Sequence, residues 1–245
     1  MERKRYLMTF CICIAILGMA SALFGQVRVP EAVRLSARAT CEITSGNAGG
    51  TGCIFSTNGA YSGVHILSAH HVTENGAPVV IEFQGSTKRF PATRVASDPV
   101  NDIVLLQVKR TPEVAQLIKY EPKLASIPPN VGDRLYFCGY AWDGIRIATG
   151  KIRRKDQGRY EVFGGSRSGM SGGPVFTATG ELCSNLWGYD QEFNMLMSSN
   201  EALHSLVRTK YDARVLQRAA QPIILPGQMG DAQLLPYGQY QDIGR

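Results

Sequence analysis

A chain of 245 residues that is 44% hydrophobic and 19% charged has enough apolar material for a real core, which excludes wholesale disorder. Its net charge of +6 includes Arg3, Lys4 and Arg5 against the single acid Glu2 at the start of the chain. The remaining excess is mild, with no basic run and no interleaved aromatics, so nucleic acid is not an expected partner. The length admits one or two domains, and all-β folds often run this long as a single unit.

Residues 1–22 read as a signal peptide. Arg3–Arg5 makes a positive start, Leu7–Met19 is apolar, and Ala20-Ser21-Ala22 is a small-x-small site with cleavage expected after Ala22. The alternative is an uncleaved signal anchor, because no charge appears between Arg5 and Arg28. Either reading puts the body of the protein outside the cytoplasm, as a secreted, periplasmic or cell-envelope protein. Cys11 and Cys13 fall in this segment, leaving Cys41, Cys53, Cys138 and Cys183. Four cysteines allow three connectivities. The pairs Cys41–Cys53 and Cys138–Cys183 are favoured because each stays within one half of the chain, with buried free thiols as the alternative.

From residue 33 onward the chain reads as short strands: Val33–Ile43, Gly52–Ser56, Val64–Ser68, Val79–Phe83, Phe90–Ala96 and Asp102–Lys109. Gly and Asn punctuate the gaps, and no segment keeps a helical period, which points to a barrel or sandwich. Residues 111–130 carry Pro112, Pro122, Pro128 and Pro129 and read as a linker between halves, with a short helical turn near Glu113–Ile118. Strands resume at Arg134–Cys138, Ile145–Ile152, Tyr160–Phe163, Pro174–Thr177, Glu181–Trp187 and Phe193–Ser198. Residues 33–110 and 131–210 thus form two halves of about six strands each. Ser199 or Asn200 caps a helix over Glu201–Lys210 with Leu203, Leu206 and Val207 on one face. The helix resumes over Ala213–Ala220, and residues 221–245, rich in Pro, Gln and Gly, read as a flexible tail.

The chemistry concentrates in Gly169-Met170-Ser171-Gly172-Gly173-Pro174. Glycines on both sides of a serine let the backbone take positive φ and aim N–H groups into one hollow beside the hydroxyl. A plain Gly-rich turn is the bland alternative. A serine needs a base to take its proton. His65, His70 and His71 cluster after a strand, and Asp102 opens the apolar run Ile103-Val104-Leu105-Leu106. A carboxylate at the start of a buried strand is costly unless something donates to it. A zinc site from the three histidines is the weaker reading, since no cysteine or carboxylate stands near at ligand spacing.

The order His, Asp, Ser resembles that of the chymotrypsin/trypsin-like serine peptidases. Ser68-Ala69-His70-His71-Val72 looks like the family's histidine box, and Asp98-Pro99-Val100-Asn101-Asp102 followed by Ile103–Leu106 is similar to the aspartate box of bacterial high-temperature-requirement-type proteases. Gly169–Pro174 resembles the family's Gly-Asp-Ser-Gly-Gly-Pro. The resemblance covers about residues 36–210, without a peptide-binding module after it. It implies an all-β fold of two six-stranded antiparallel β-barrels with a short C-terminal helix.

It also implies the roles: His71 as base, Asp102 rather than Asp98 as its orienting carboxylate, and Ser171 rather than Ser166 or Ser168 as nucleophile. The N–H groups of Gly169 and Ser171 are the implied oxyanion donors. Leu186-Trp187-Gly188 is similar to the strand that pairs with extended substrate. Gly165, Ser166 and Ser168 fall on a wall of the specificity pocket, and Asn185 falls where glutamate-specific members carry a histidine. Two departures stand out. Met170 replaces the aspartate that pairs with a freed N-terminus in digestive enzymes, so activity is expected without such a cut. Val72 stands where many members have a bridged cysteine.

The expected activity is that of a serine endopeptidase acting on protein or peptide through an acyl-enzyme, with no cofactor and no metal. Membrane contact is expected only through an uncleaved N-terminal segment. The rival is a catalytically silent protease-like domain that binds peptides or a partner.

Overall fold

The structure is a computed structural model that describes residues 28–55, 63–156, 158–189 and 195–210. The signal segment 1–22, the continued helix over 213–220 and the tail 221–245 lie outside the described residues.

Twelve strands close into two antiparallel barrels among the described residues, in the orders β1-β2-β3-β6-β5-β4 and β10-β11-β12-β9-β8-β7. The first holds β1 (Thr40–Ser45), β2 (Ala48–Phe55), β3 (Gly63–Ser68), β4 (Val79–Phe83), β5 (Arg89–Asp98) and β6 (Ile103–Lys109). The second holds β7 (Arg134–Ala141), β8 (Gly144–Asp156), β9 (Arg159–Gly164), β10 (Pro174–Phe176), β11 (Leu182–Tyr189) and β12 (Met195–Ser198). This is the chymotrypsin-like fold. Its strands are β-branched and aromatic runs whose inward side chains, among them Ile43, Ile66, Leu105, Phe137 and Phe176, are fully buried.

One stretch departs from expectation. Residues 33–43 were expected as one strand, but Glu31–Ser36 is a helix, α1, followed by a 3₁₀ turn at Ala37–Ala39. Pro30 precedes α1, Glu31 sits in its first turn, and Arg34 pairs with Glu31 one turn on. Val33, Ser36 and Ala37 are the buried positions, a helical rather than an alternating period. Ser36 Oγ donates to the carbonyl of Gly180 (2.6 Å), which docks α1 on the second barrel.

The linker does carry a short helix, α2 (Pro112–Leu117), with Pro112 in its first turn and Thr111 Oγ1 accepting the N–H of Val114 (3.2 Å). Past α2 the linker is pinned rather than loose. Ala125 N–H donates to Leu182 O (2.8 Å), and Leu182 N–H donates to Lys123 O (2.7 Å). The C-terminal helix, α3 (Asn200–Lys210), starts under Ser199, whose Oγ accepts the N–H of Ala202 (3.0 Å). Leu203, Leu206 and Val207 are buried against the first core. That core also takes Tyr136, Cys138, Ile145, Phe176 and Leu182 from the second barrel, so apolar packing runs across the junction where the site lies.

The expected disulfides are absent: Cys41, Cys53, Cys138 and Cys183 are all free and buried. The register explains the first pair. Cys41 stands opposite Gly52 and Cys53 opposite Thr40, so the two thiols leave on different faces of the β1–β2 hairpin. Cys138 packs in the first core and Cys183 in the second, where its Sγ faces Val175 O (3.3 Å). Burial pushes all four thiols up, Cys138 to about 12, so they stay protonated.

Candidate active site

β3 ends at Ser68, and the chain turns through a short 3₁₀ segment, His70–Val72, closed by Thr73 N–H on His70 O (2.9 Å). The turn lifts His71 to the rim, with its side chain 40% exposed. Asp102 comes from the other side, one residue before β6. It is the one non-glycine residue of positive φ (+52°) among the described residues. Asp tolerates this left-handed conformation better than most residues, at some cost in strain. Asp98 shapes the approach: its carboxylate accepts the N–H groups of Val100 and Asn101 (both 3.1 Å) and the Asn101 side-chain amide (2.6 Å). The two aspartates therefore divide the work, Asp98 building the turn and Asp102 meeting the histidine.

That meeting has two points. Asp102 Oδ1 accepts the backbone N–H of His71 (2.9 Å), and Oδ2 lies 2.7 Å from His71 Nδ1. An ionised carboxylate only accepts, so Nδ1 carries the proton and Nε2 keeps its lone pair. The hydrogen bond to Asp102 raises the His71 pKa above the ordinary 6.5; partial burial opposes this, and the charges of Asp102 and Glu74 add to it.

The serine turn belongs to the second barrel and is built from backbone. Gly169 and Gly172 take φ of +92° and +82°. A Cβ at Gly172 would fall 2.2 Å from Ser68 Oγ and 2.6 Å from Ala69 N, so the turn lies directly on the end of β3. A Cβ at Gly50 would strike Val72 Cγ2 at 2.6 Å and Ser171 O at 2.9 Å. The carbonyl of Ser171 and the side chain of Val72, the residue after His71, thus both lie against Gly50. Met170 is buried in the second core and anchors the turn from below.

The N–H groups of Met170, Gly172 and Gly173 donate to Arg167, Leu186 and Met170 carbonyls at 2.7–3.1 Å. Those of Gly169 and Ser171 meet no acceptor among the described residues. The serine segment therefore keeps two backbone donors without a backbone acceptor among the described residues.

Three residues that hold this arrangement were not singled out for that role in the sequence. Thr51, within the Gly-rich start of β2, donates its N–H to Ser171 O and its hydroxyl to Gly169 O (both 2.8 Å), and accepts the N–H of Tyr140 (2.8 Å). Asn185 was placed near the specificity pocket, but it is fully buried and its Nδ2 donates to Asp102 O (3.2 Å) and Ser68 O (3.4 Å). Ser198 Oγ donates to Asn101 O (2.7 Å). Each bond joins one barrel to the other, and no local sequence signal marks such partners.

The remaining expected positions are spread along the rim. Gly165 and Ser168 are exposed and Ser166 is half-buried, and a Cβ at Gly165 would meet open space. Arg167, in the same segment, is drawn to Asp143 (Nη1 to Oδ2, 3.1 Å), beside the pair of Asp143 with Arg146. Trp187 is half-buried, with the Arg159 guanidinium 4.5 Å from its ring centroid. Gly188 is half-buried, while Leu186 is buried and its N–H donates to Gly173 O (2.8 Å), so its side chain serves the core. His65 is buried, packs at a tilt against Phe55 and lies 3.3 Å from Gln107 Nε2. Among the described residues no group of three His, Cys, Asp or Glu side chains is arranged to hold a metal ion.

The model of the trypsin-like peptidase domain matches residues 50–183, which include His71, Asp102 and Ser171. The chain belongs to this family. The peptidase domain is also similar to solved serine-protease structures. Against the Rv3671c protease in its inactive form it is 21% identical with a TM-score of 0.59, over 74% of this chain and 92% of that one. Against the active form, from M. tuberculosis, the identity is 18% and the TM-score 0.61, over 76% and 92%. The serine endoprotease from Yersinia pestis gives 21% and 0.60, over 77% of this chain and 66% of that one. At these identities the likeness is one of fold. No curated protein matches the chain.

Proposed function

We propose that this trypsin-like domain is a serine endopeptidase with Ser171 as nucleophile, His71 as general base and acid, and Asp102 as the group that orients His71. The observation that carries this is the two-point grip of Asp102 on His71, 2.9 Å at the backbone and 2.7 Å at Nδ1, which leaves Nε2 free to accept a proton. In the first step Nε2 takes the proton of Ser171 Oγ as that oxygen attacks a peptide carbonyl carbon. The N–H groups of Gly169 and Ser171 receive the developing oxyanion. The protonated His71 next gives its proton to the departing amine, which leaves an ester on Ser171. A water then attacks that ester, with His71 again taking the proton. An extended substrate lies along β11 near Trp187 and Gly188, and open space at Gly165, in a segment Gly164–Ser168 that itself carries no acid, favours a small or medium apolar residue before the cut.

The site needs no metal or cofactor for this chemistry. Residues 1–22 act as an export signal or anchor, which puts the peptidase in a secreted, periplasmic or envelope location. Labelling of the intact protein by a serine-directed fluorophosphonate, lost in Ser171→Ala, tests the reaction. Folded wild-type protein that takes no label and cuts no peptide library would leave only a silent binding domain. N-terminal sequencing of exported protein tests the leader, with a start at Leu23 expected for cleavage after Ala22.

A further inference from the structure

We propose that a cavity on the Tyr140 side of the serine turn binds a basic side chain, Lys or Arg, from the part of the substrate that follows the cut. This rests on the endopeptidase reading above. The cavity has a volume of about 490 Å³ and is walled by Glu42, Glu82, Arg89, Tyr140, Ile145 and the β4–β5 turn. It is large enough for a long side chain.

Its charge is unusual. Glu42 of β1 and Glu82 of β4 stand directly opposite each other in the strand register. Like charges in directly opposed positions destabilise a sheet. Arg89 relieves this only in part: it lies 3.9 Å from Glu82, and its own side chain is 70% exposed. Glu42 meets no cation among the described residues. Tyr140 lines the cavity with a half-buried ring, and burial, ahead of the charges of Glu42 and Glu82, raises its phenol above the ordinary range. A long aliphatic stem ending in a cation matches this lining, since the stem packs on the ring and the cation relieves the carboxylate pair.

The position of the cavity assigns it to the leaving half of the substrate. A Cβ at Gly169 would lie 2.5 Å from Tyr140 O, and Thr51 Oγ1 bridges Tyr140 N–H to Gly169 O. Tyr140 therefore joins the cavity wall to the Gly169 end of the turn. At the other end Gly172 N–H donates to Leu186 O (2.7 Å), next to Trp187, where the acyl half is expected to pair. The two halves of a substrate crossing Ser171 diverge to these two ends.

The test uses peptides with one acyl half and Arg, Lys, norleucine or Glu at each of about four positions after the cut. For wild type, kcat/KM for Lys or Arg over norleucine should be about 3- to 10-fold at one of these positions, and smaller in high salt. In Glu42→Gln with Glu82→Gln that ratio should fall to near one. The ratio within each variant cancels any change in the amount of active protein. Equal ratios in wild type and the double variant, or no basic preference in wild type, would overturn the assignment. Fluorescence anisotropy of the same peptides on Ser171→Ala reads the cavity without turnover. A basic preference there that the Glu→Gln changes abolish would keep the cavity assignment even if wild type took no fluorophosphonate and the endopeptidase reading failed.

Discussion

The two barrels contribute to the site in different materials. The first barrel supplies side chains: the His71 imidazole and the Asp102 carboxylate, joined 2.7 Å apart and responsive to protons. The second supplies backbone: a turn with positive-φ glycines on both sides of Ser171, tied to the first barrel by the N–H of Thr51 on Ser171 O. In the side-chain half, isosteric change is expected to spare the fold and cost the proposed chemistry. The backbone half has no such latitude, because added atoms strike Ser68, Thr51 and Tyr140. Thr51, Asn185 and Ser198 hold the halves together, and all three bonds end on backbone carbonyls of residues at the site.

That contrast can be broken or sharpened, starting from the largest effect. Ser171→Ala should remove about 10⁶-fold in turnover while circular dichroism and Tm stay near wild type; comparable turnover would put the nucleophile elsewhere. Asp102→Asn should cost about 10⁴-fold, because the amide no longer enforces the Nδ1–H tautomer. The same variant should shift the pH profile. In wild type, activity requires neutral His71 and should fall as pH drops through a pKa raised above 6.5. Removing the carboxylate removes the main cause of that rise, so the limb should move to lower pH, and an unmoved limb would contradict the assigned base. Stability has the opposite sign. A raised folded-state pKa means that the His71–Asp102 contribution is complete below the unfolded pKa of about 6.5 and fades as pH climbs through the folded value.

Gly172→Ala tests the backbone half. It combines positive-φ strain with contacts of 2.2 Å to Ser68 Oγ and 2.4 Å to Thr51 O, and should cost about 3 kcal/mol in denaturant unfolding. A neutral result would show that the turn does not sit on β3. Asn185→Ala leaves the carbonyls of Asp102 and Ser68 without that donor and should cost about 1–3 kcal/mol, with lower kcat and little change in KM. The smallest effect is expected from reductant. With Cys41, Cys53, Cys138 and Cys183 free, Tm should be the same with and without it. A loss of the size a disulfide supplies, about 2–4 kcal/mol, would restore the pairing.

The strands were legible because alternating apolar residues and Gly or Asn breaks are local signals, and Val79–Phe83 has the expected boundaries. The motif boxes around His71, Asp102 and Ser171 were legible for the same reason, each being a short run with its own grammar. Residues 33–43 misled because alternation and helical spacing agree over so few positions, and docking of Ser36 on Gly180 decided for the helix. The disulfides misled because proximity along a hairpin does not say which face a side chain takes. Asn185 looked like a pocket residue by position alone; its burial and its bond to Asp102 O arise only when β11 packs on the first barrel.

Sequence by itself determined the class of fold, the family and the residue types available for chemistry, since these depend on local pattern and chemical identity. Tertiary structure alone decided that Thr51, Asn185 and Ser198 bridge the barrels, which thiols face apart and which two glutamates share a cavity. Those outcomes depend on register and on the meeting of two barrels, where residues more than a hundred positions apart, such as Thr51 and Gly169, become hydrogen-bond partners.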